Sequence, residues 1–592
     1  MDTFKQINYI LNKKEKFQLV GLLFAMLASA LLEIVGISVL LPIIDLISTA
    51  DSDLVSMVNT SWCLSAIVKL FSLNLPEQRN TLELIIIITV MILYIIKAVY
   101  TIFLNAITSR FTNNFHRKLS VSLFETYLFQ PYDFYLYTNS ADLLRSATSD
   151  VSTFVGSLST LLSLLSDIIF CSAIFVYLLV LDWKVTLIVF ALIVLVSAGL
   201  LLAVKKRTKA YGKETWWLYS KGIRTIQEAL GGIKETKISG RESYFLSDFD
   251  STNRDMASVA FKNSFVLTLP RVIIEAVGMI SILAALLIYT LLGVGSSTIL
   301  STFSLFAVAI IKLLPYVSRF NGEIGGLRYS MASISSVYHD LQLASACEGD
   351  KVLSSKTREV MPFNEKIVID HVSFLYRGSD KVILDNVFGV VIKGQSTAFC
   401  GQSGAGKTTT IDLILGLLKP KSGQILCDST PVLSNVQAWH RDISYVPQDI
   451  YLVDSDIRTN VAFGMDQSLV KDEDVWKALD EAQLGDFVRS LPLQLHTSIG
   501  EKGVRLSGGQ RQRIGIARAL FRNTQIIVFD EATSALDYQT EGEILNTING
   551  LKGTRTLIII THRLNTIQNC DRIYEVKGGK MTCVKGGELN AH

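Results

Sequence analysis

The chain has 592 residues, 49% of them hydrophobic, a mean hydropathy of +0.37 and a formal net charge of only +3. That length exceeds one domain, and so small a charge excludes a nucleic-acid binder with a broad basic face. The seven cysteines contain no C-x-x-C pair, so neither a disulfide framework nor a zinc site is implied.

Six apolar runs lie at roughly 18–47, 82–108, 155–181, 184–204, 270–292 and 298–318, each long enough for a bilayer span of about 20 residues. The first is too long, and too charged at Glu33, for a cleaved signal sequence, and is expected to remain as the first helix. Lys13, Lys14 and Lys16 precede the first run. Arg110, Arg117 and Lys118 follow the second, and Lys205, Lys206, Arg207 and Lys209 follow the fourth. Basic residues mark cytoplasmic flanks, which predicts both termini in the cytoplasm.

Between the first two runs, residues 48–81 form an outer loop rich in apolar side chains. Leu54, Val58, Trp62, Ile67, Leu70 and Phe71 approach helical spacing, which fits a helix on the outer membrane surface or one packed against the spans. The two long internal loops, 110–151 and 205–268, have polar helical patterns that would carry the spans into the cytosol.

Four cations, Lys97, Arg271, Lys312 and Arg319, fall inside or at the edges of the runs. Charge at membrane depth costs about 2.5–3.5 kcal/mol per residue, so such groups face a cavity, a partner or the interface. Two readings stand: an anionic cargo, or structural pairing in which Glu33 and Glu275 contribute, Arg271 and Glu275 being an i,i+4 pair.

The chemistry changes after residue 362. Ile367–Phe374 alternates as a strand should, Ser396–Cys400 reads as a short buried strand, and Thr408–Leu418 as the helix it feeds. Between them Gly401-Gln402-Ser403-Gly404-Ala405-Gly406-Lys407-Thr408, followed by Thr409, is a Walker A loop. Its glycines let backbone N–H groups and a helix N-terminus approach a polyphosphate. Lys407 can reach the β- and γ-phosphates of ATP, and the Thr408 hydroxyl can ligate Mg²⁺. Ile526–Phe529 suits a buried parallel strand that delivers Asp530 to the metal and Glu531 to an attacking water. Ser507-Gly508-Gly509-Gln510 opens a helix running toward Phe521 and forms a second anion site.

These motifs together resemble the ABC ATPase family. The resemblance implies that Tyr376 stacks on adenine, that Gln448 touches Mg²⁺ and the attacking water, and that His562 contacts the γ-phosphate. Ser534–Asp537 is similar to the D-loop and Gly500–Gly503 to the exporter X-loop. Gln130–Asp142 and Gly231–Phe249 sit where exporters place coupling helices. In that family Ser507–Gln510 faces the γ-phosphate held by the opposite subunit. A chain with one such domain is then a half-transporter, acting as a homodimer or, alternatively, a heterodimer.

The fold implied is a six-helix membrane bundle of the ABC exporter type over 1–320, a helical extension and linker over 321–362, and an α/β P-loop ATPase domain over 363–592. Pro270–Gly278 and Phe306–Arg319 further resemble bacterial lipid-linked oligosaccharide flippases of the PglK type, although lysine stands at 97 and 312 where that resemblance leads one to expect arginine. It implies an inner-membrane protein whose intramembrane cations meet the pyrophosphate of a polyprenyl-linked sugar. A general lipid, drug or peptide exporter and an ATP-gated regulatory protein are the other readings.

Overall fold

The computed structural model describes residues 2–38, 79–181, 183–291, 313, 315–317, 319–346, 360–531, 538–563 and 567–586. The outer loop expected at 48–81 lies almost wholly outside these residues, as do Lys312, Ser534–Asp537 and most of the run at 298–318. The chain divides into two compact units, Met1–Gln130 with Thr138–Cys347, and Pro131–Tyr137 with Glu348–His592.

The first unit is helical. Its elements are α1 (Asp2–Ile10), α2 (Lys13–Ser38), α3 (Arg79–Leu128), α5 (Ser140–Arg145), α6 (Val151–Leu181), α7 (Trp183–Gly231), α8 (Ile233–Ile238), α9 (Glu242–Leu291) and α10 (Met331–Ala346). α4 (Tyr132–Tyr137) belongs to the second unit. Among the described residues four helical stretches are long and apolar enough to cross a membrane: Lys13–Gly36, Ile87–Leu128, Ser140–Val180 and Glu242–Ser281. The run at 184–204 falls within α7.

α3, α7 and α9 contain 50, 49 and 50 residues. At 1.5 Å per residue each is about 75 Å long, more than twice a hydrocarbon core of about 30 Å. The polar halves of these helices therefore continue the apolar halves without a break. Phe17, Phe24, Ile102 and Val180 are exposed on the isolated chain, as side chains facing lipid must be. On the inner side Leu22, Met26, Phe115, Leu123, Leu158 and Val337 form one apolar core that joins α2, α3, α6 and α10. Gly212 on α7 is required by close approach: a Cβ there would lie 2.0 Å from the Tyr329 carbonyl oxygen.

The segments expected to be coupling helices are shorter than their sequence windows. Gln130–Asp142 resolves into α4 and the start of α5, separated at Thr138–Asn139, where the Asn139 side chain accepts from the Ala141 N–H and caps α5. In the second window α8 ends at Ile238, with Ser239 as its cap, and Gly240, at φ 61°, turns the chain into α9.

The second unit contains two sheets. The strands are β1 (Lys366–Leu375), β2 (Val382–Ile392), β3 (Ser396–Cys400), β4 (Ser422–Cys427), β5 (Thr430–Pro431), β6 (Ile443–Val446), β7 (Ile526–Asp530), β8 (Thr556–Ile560), β9 (Arg572–Lys577) and β10 (Lys580–Lys585). An antiparallel sheet has the order β2-β1-β4-β5, and a second has the order β10-β9-β3-β8-β7-β6. In the latter β9, β3, β8, β7 and β6 run parallel, with β10 antiparallel at the edge. β7 and β8 are buried throughout, which explains their unbroken apolar sequences. Tyr574 joins the sheets: its hydroxyl donates to the Val390 carbonyl at 3.1 Å and accepts the Val390 N–H at 2.8 Å, while its ring stacks on Phe399.

Candidate functional site

Because β3, β8, β7 and β6 are parallel neighbours, their C-terminal ends emerge on one edge, the place where open α/β sheets bind ligands. β3 delivers Gly401, β7 delivers Asp530 and Glu531, β8 leads to His562 and β6 to Gln448. Strand order in space thus gathers residues that are far apart in sequence.

The loop after β3 enters a helix, α11 (Lys407–Ile414), through three glycines at positive φ: Gly401 at 146°, Gly404 at 76° and Gly406 at 106°. Gly401 has no space for a side chain, since a Cβ would lie 2.2 Å from the Val576 carbonyl oxygen. Gly401→Ala is expected to lower the melting temperature of the protein and to abolish retention on immobilised ATP; an unchanged melting curve with normal retention would contradict this packing. Gln402, Ser403, Gly404 and Thr408 are exposed, Ala405 is half-buried, and Lys407 and Thr409 are buried. The Lys407 Nζ donates to the carbonyls of Gly401 at 2.9 Å and Gln402 at 3.1 Å, so the ammonium curls over the loop. The first-turn N–H groups of α11 have no intrahelical acceptor one turn earlier, which suits a phosphate.

Tyr376 lies just past β1, edge-on to Phe374, and its hydroxyl is 3.0 Å from the Thr409 hydroxyl. Its ring is therefore anchored to the phosphate-loop helix, with Thr409 engaged by the tyrosine rather than open to ligand.

At the end of β7, Asp530 is buried and accepts the Tyr445 hydroxyl at 3.0 Å. Burial, followed by the neighbouring Glu531 charge, pushes the Asp530 carboxyl up, whereas the Tyr445 bond and the Lys407 charge act the other way. A dehydrated carboxylate beside a second carboxylate is the kind of oxygen donor a hard divalent cation takes, so the residues fit Mg²⁺ with Thr408. Burial, and then the Asp530 charge, push Asp412 on α11 up to about 6.

Glu531 sits at φ 45°, unusual for a residue with a side chain, and is held there by its N–H donating to the Ile560 carbonyl at 3.0 Å. Two side chains address its carboxylate. Gln448 Nε2 donates to one oxygen at 3.3 Å, and His562 Nδ1 lies 3.6 Å from the other. β6, β7 and β8 thus contribute one side chain each to a single cluster. Tyr445, which had no part in the sequence reading, is the further member; its position one residue before the end of β6, beside β7, is the only signal that could have found it.

Ser507 caps α12 (Gly508–Phe521). Its hydroxyl accepts the Gln510 N–H at 3.2 Å, while the Gln510 side chain accepts the Ser507 N–H at 2.9 Å. Ser507 and Gly508 are exposed and Gly509 is buried. The preceding Gly500–Gly503 forms a tight turn with Gly500, Lys502 and Gly503 all at positive φ.

In the membrane unit two of the four predicted cations are paired within the chain, while Lys312 lies outside the described residues. Lys97 pairs with buried Glu33, and Arg319 reaches the buried Asp167 carboxylate at 3.0 Å. The expected Arg271–Glu275 pair is not formed among the described residues; Arg271 is exposed on α9. Asp167 had not been counted among the acids able to balance these charges, because it lies mid-run in sequence and only the packing of α6 brings it to Arg319.

A phosphate loop, a paired Asp-Glu at the end of a parallel strand of the same sheet and a capped Ser-Gly-Gly-Gln helix define an ATP-hydrolysing unit joined to a membrane-spanning one. Residues 384–534 match the family profile described as ABC transporter, and residues 19–313 match that of the ABC transporter transmembrane region. The chain belongs to the ABC transporters, in which ATP hydrolysis drives transport. It is 28% identical over 477 residues to an ATP-dependent lipid A-core flippase of Cupriavidus metallidurans, covering 80% of this chain and 79% of that protein. The protein of that name from Thiobacillus denitrificans is 29% identical over 457 residues, covering 77% of this chain and 75% of its own length. The fold is shared with a bacterial Atm1-family ABC exporter solved with ATP bound, at a TM-score of 0.74 and 22% identity, over 97% of this chain and 95% of that one.

Proposed function

We propose that the protein is an ATP-driven flippase of the bacterial inner membrane, moving a polyprenyl-pyrophosphate-linked oligosaccharide by alternating access in a homodimer. In this reading ATP and Mg²⁺ sit between two copies, Ser507–Gln510 of one facing the Walker A loop of the other. Thr408, Gln448 and Asp530 would hold the metal, which would supply charge neutralisation at the phosphates. Glu531 accepts the proton of the attacking water, while Gln448 and His562 hold the Glu531 carboxylate in position. Closure of the ATPase units would move α4 and α8, and with them the spans.

The supporting observation for a glycolipid cargo is the likeness, over about four-fifths of the chain, to proteins named lipid A-core flippases. Those names also favour a second reading, lipid A-core itself as cargo. Arg271, exposed and unpaired with Glu275, is the described cation best able to meet an anionic headgroup. ATPase stimulation and flipping in proteoliposomes decide between the two. The first reading expects a response to polyprenyl-pyrophosphate oligosaccharide that weakens about tenfold in Arg271→Gln. Response to lipid A-core alone establishes the second, and response to neither removes both.

A further inference from the structure

We propose that a groove between α2 and α3 is a binding site for an acidic phospholipid of the cytoplasmic leaflet, distinct from the transported cargo. The cavity measures about 820 Å³, within the range of roughly 300–1,000 Å³ found for small-molecule sites. Its floor is apolar, formed by Gly21, Leu22 and Ala25 of α2 and by Ile107, Phe111 and Phe115 of α3. Its rim is basic: Lys14, Arg110, Arg117 and Lys118, with Glu15 as the one carboxylate. Lys118 and Glu15 satisfy each other at 2.5 Å, and Glu15 also accepts the Asn12 N–H at 2.8 Å. Lys14, Arg110 and Arg117 are exposed, and together they leave the rim with an excess of three positive charges.

The groove lies where the composition of both helices changes. Outward from it α3 exposes Ile102 and Phe103, and within its span α2 exposes Phe17 and Phe24, while the basic residues that mark the cytoplasmic flank form its rim. An occupant must therefore place acyl chains on the apolar floor and a phosphate at the rim. A membrane phospholipid does both, and a soluble phosphate does only the second. Gly21 leaves open space above the floor, since nothing lies within 4 Å of its Cβ position. The groove shares no residue with the ATP site or with the four predicted cargo cations, so the proposal stands whether or not the flippase reading does.

The test uses full-length protein in nanodiscs of phosphatidylcholine, with or without phosphatidylglycerol, followed by quantification of lipids retained after detergent extraction. Wild-type protein is expected to retain phosphatidylglycerol in preference to phosphatidylcholine. Each juxtamembrane cation contributes about fivefold, so Lys14→Gln/Arg110→Gln/Arg117→Gln should reduce that preference by about 10²-fold. Gly21→Phe, which fills the floor and leaves the charges in place, should also lower retention, with ATP binding and the melting curve as controls for folding in both variants. Equal retention of the two lipids by wild type, or an unchanged preference in the triple variant, would overturn the proposal. So would displacement of the lipid by inorganic pyrophosphate alone, which would assign the rim to a soluble anion.

Discussion

Glu531→Gln is expected to lower ATP turnover by about 10²–10⁴-fold, the usual contribution of a positioned general base, while leaving ATP binding intact. The substitution keeps the side-chain shape, so the strand-end turn that holds residue 531 at φ 45° is preserved. What is lost is the carboxylate oxygen that the proposed function assigns as the base. The Gln448 Nε2 bond at 3.3 Å and the His562 approach at 3.6 Å both address that carboxylate, so removing either neighbour disturbs its aim but leaves the base present. His562→Ala and Gln448→Ala should accordingly be less severe than Glu531→Gln, the more so because the His562 ring is 57% exposed and loosely held. Retained nucleotide in the Glu531→Gln protein, read by filter binding, separates loss of chemistry from loss of the site. A Glu531→Gln enzyme with ordinary turnover would move the base elsewhere, and Asp530 could not replace it, being turned toward Tyr445 and buried.

The ATP site was legible in the sequence because its parts are local: a glycine loop needs consecutive residues, and a buried strand needs an unbroken apolar run. Ser396–Cys400 coincides with β3, and the helix expected after Ser507 ends at Phe521. α11 stops at Ile414 instead of Leu418 because Gly416, at φ 71°, takes the chain out of the helix. What depends on tertiary neighbours was not legible. Tyr445 acts on Asp530 through strand adjacency, Thr409 is met by a tyrosine 33 positions away, and Asp167 is brought by helix packing to Arg319, 152 positions away. Nor does hydropathy reveal that α4, bounded by Pro131 and Tyr137, belongs with the ATPase unit. There burial, then the Asp412 and Tyr376 charges, push the Tyr132 phenol up.

Breaking the ion pair of Arg145 and Asp150 is the substitution expected to cost most in the membrane unit. Both side chains are almost wholly buried, at 3% and 2% exposure, with Arg145 Nη1 donating to Asp150 at 2.8 Å. Trp216 of α7 completes the arrangement: its indole N–H donates to Asp150 at 3.3 Å, and the guanidinium lies 3.8 Å from the indole ring centroid. The pair spans the π-helical turn Ser146–Asp150 that joins α5 to α6, and Ser146 of that turn also meets Ser336 of α10 at 3.2 Å. Removing one partner leaves the other buried charge without its close pair, since the other carboxylate near Arg145, the half-buried Asp142, lies at 3.7 Å, so Asp150→Ala or Arg145→Met should each destabilise by about 3–5 kcal/mol. Arg145→Lys keeps the charge but loses the flat face that stacks on Trp216, and should fall between wild type and Arg145→Met. The decisive comparison is Arg145→Met/Asp150→Leu, which leaves no uncompensated charge and should recover most of the loss in thermal denaturation of the detergent-solubilised protein. If the double variant instead melts as low as the singles while ATP binding survives, the pair acts through its geometry at the π turn rather than through charge compensation, because only the turn is then left unsupported.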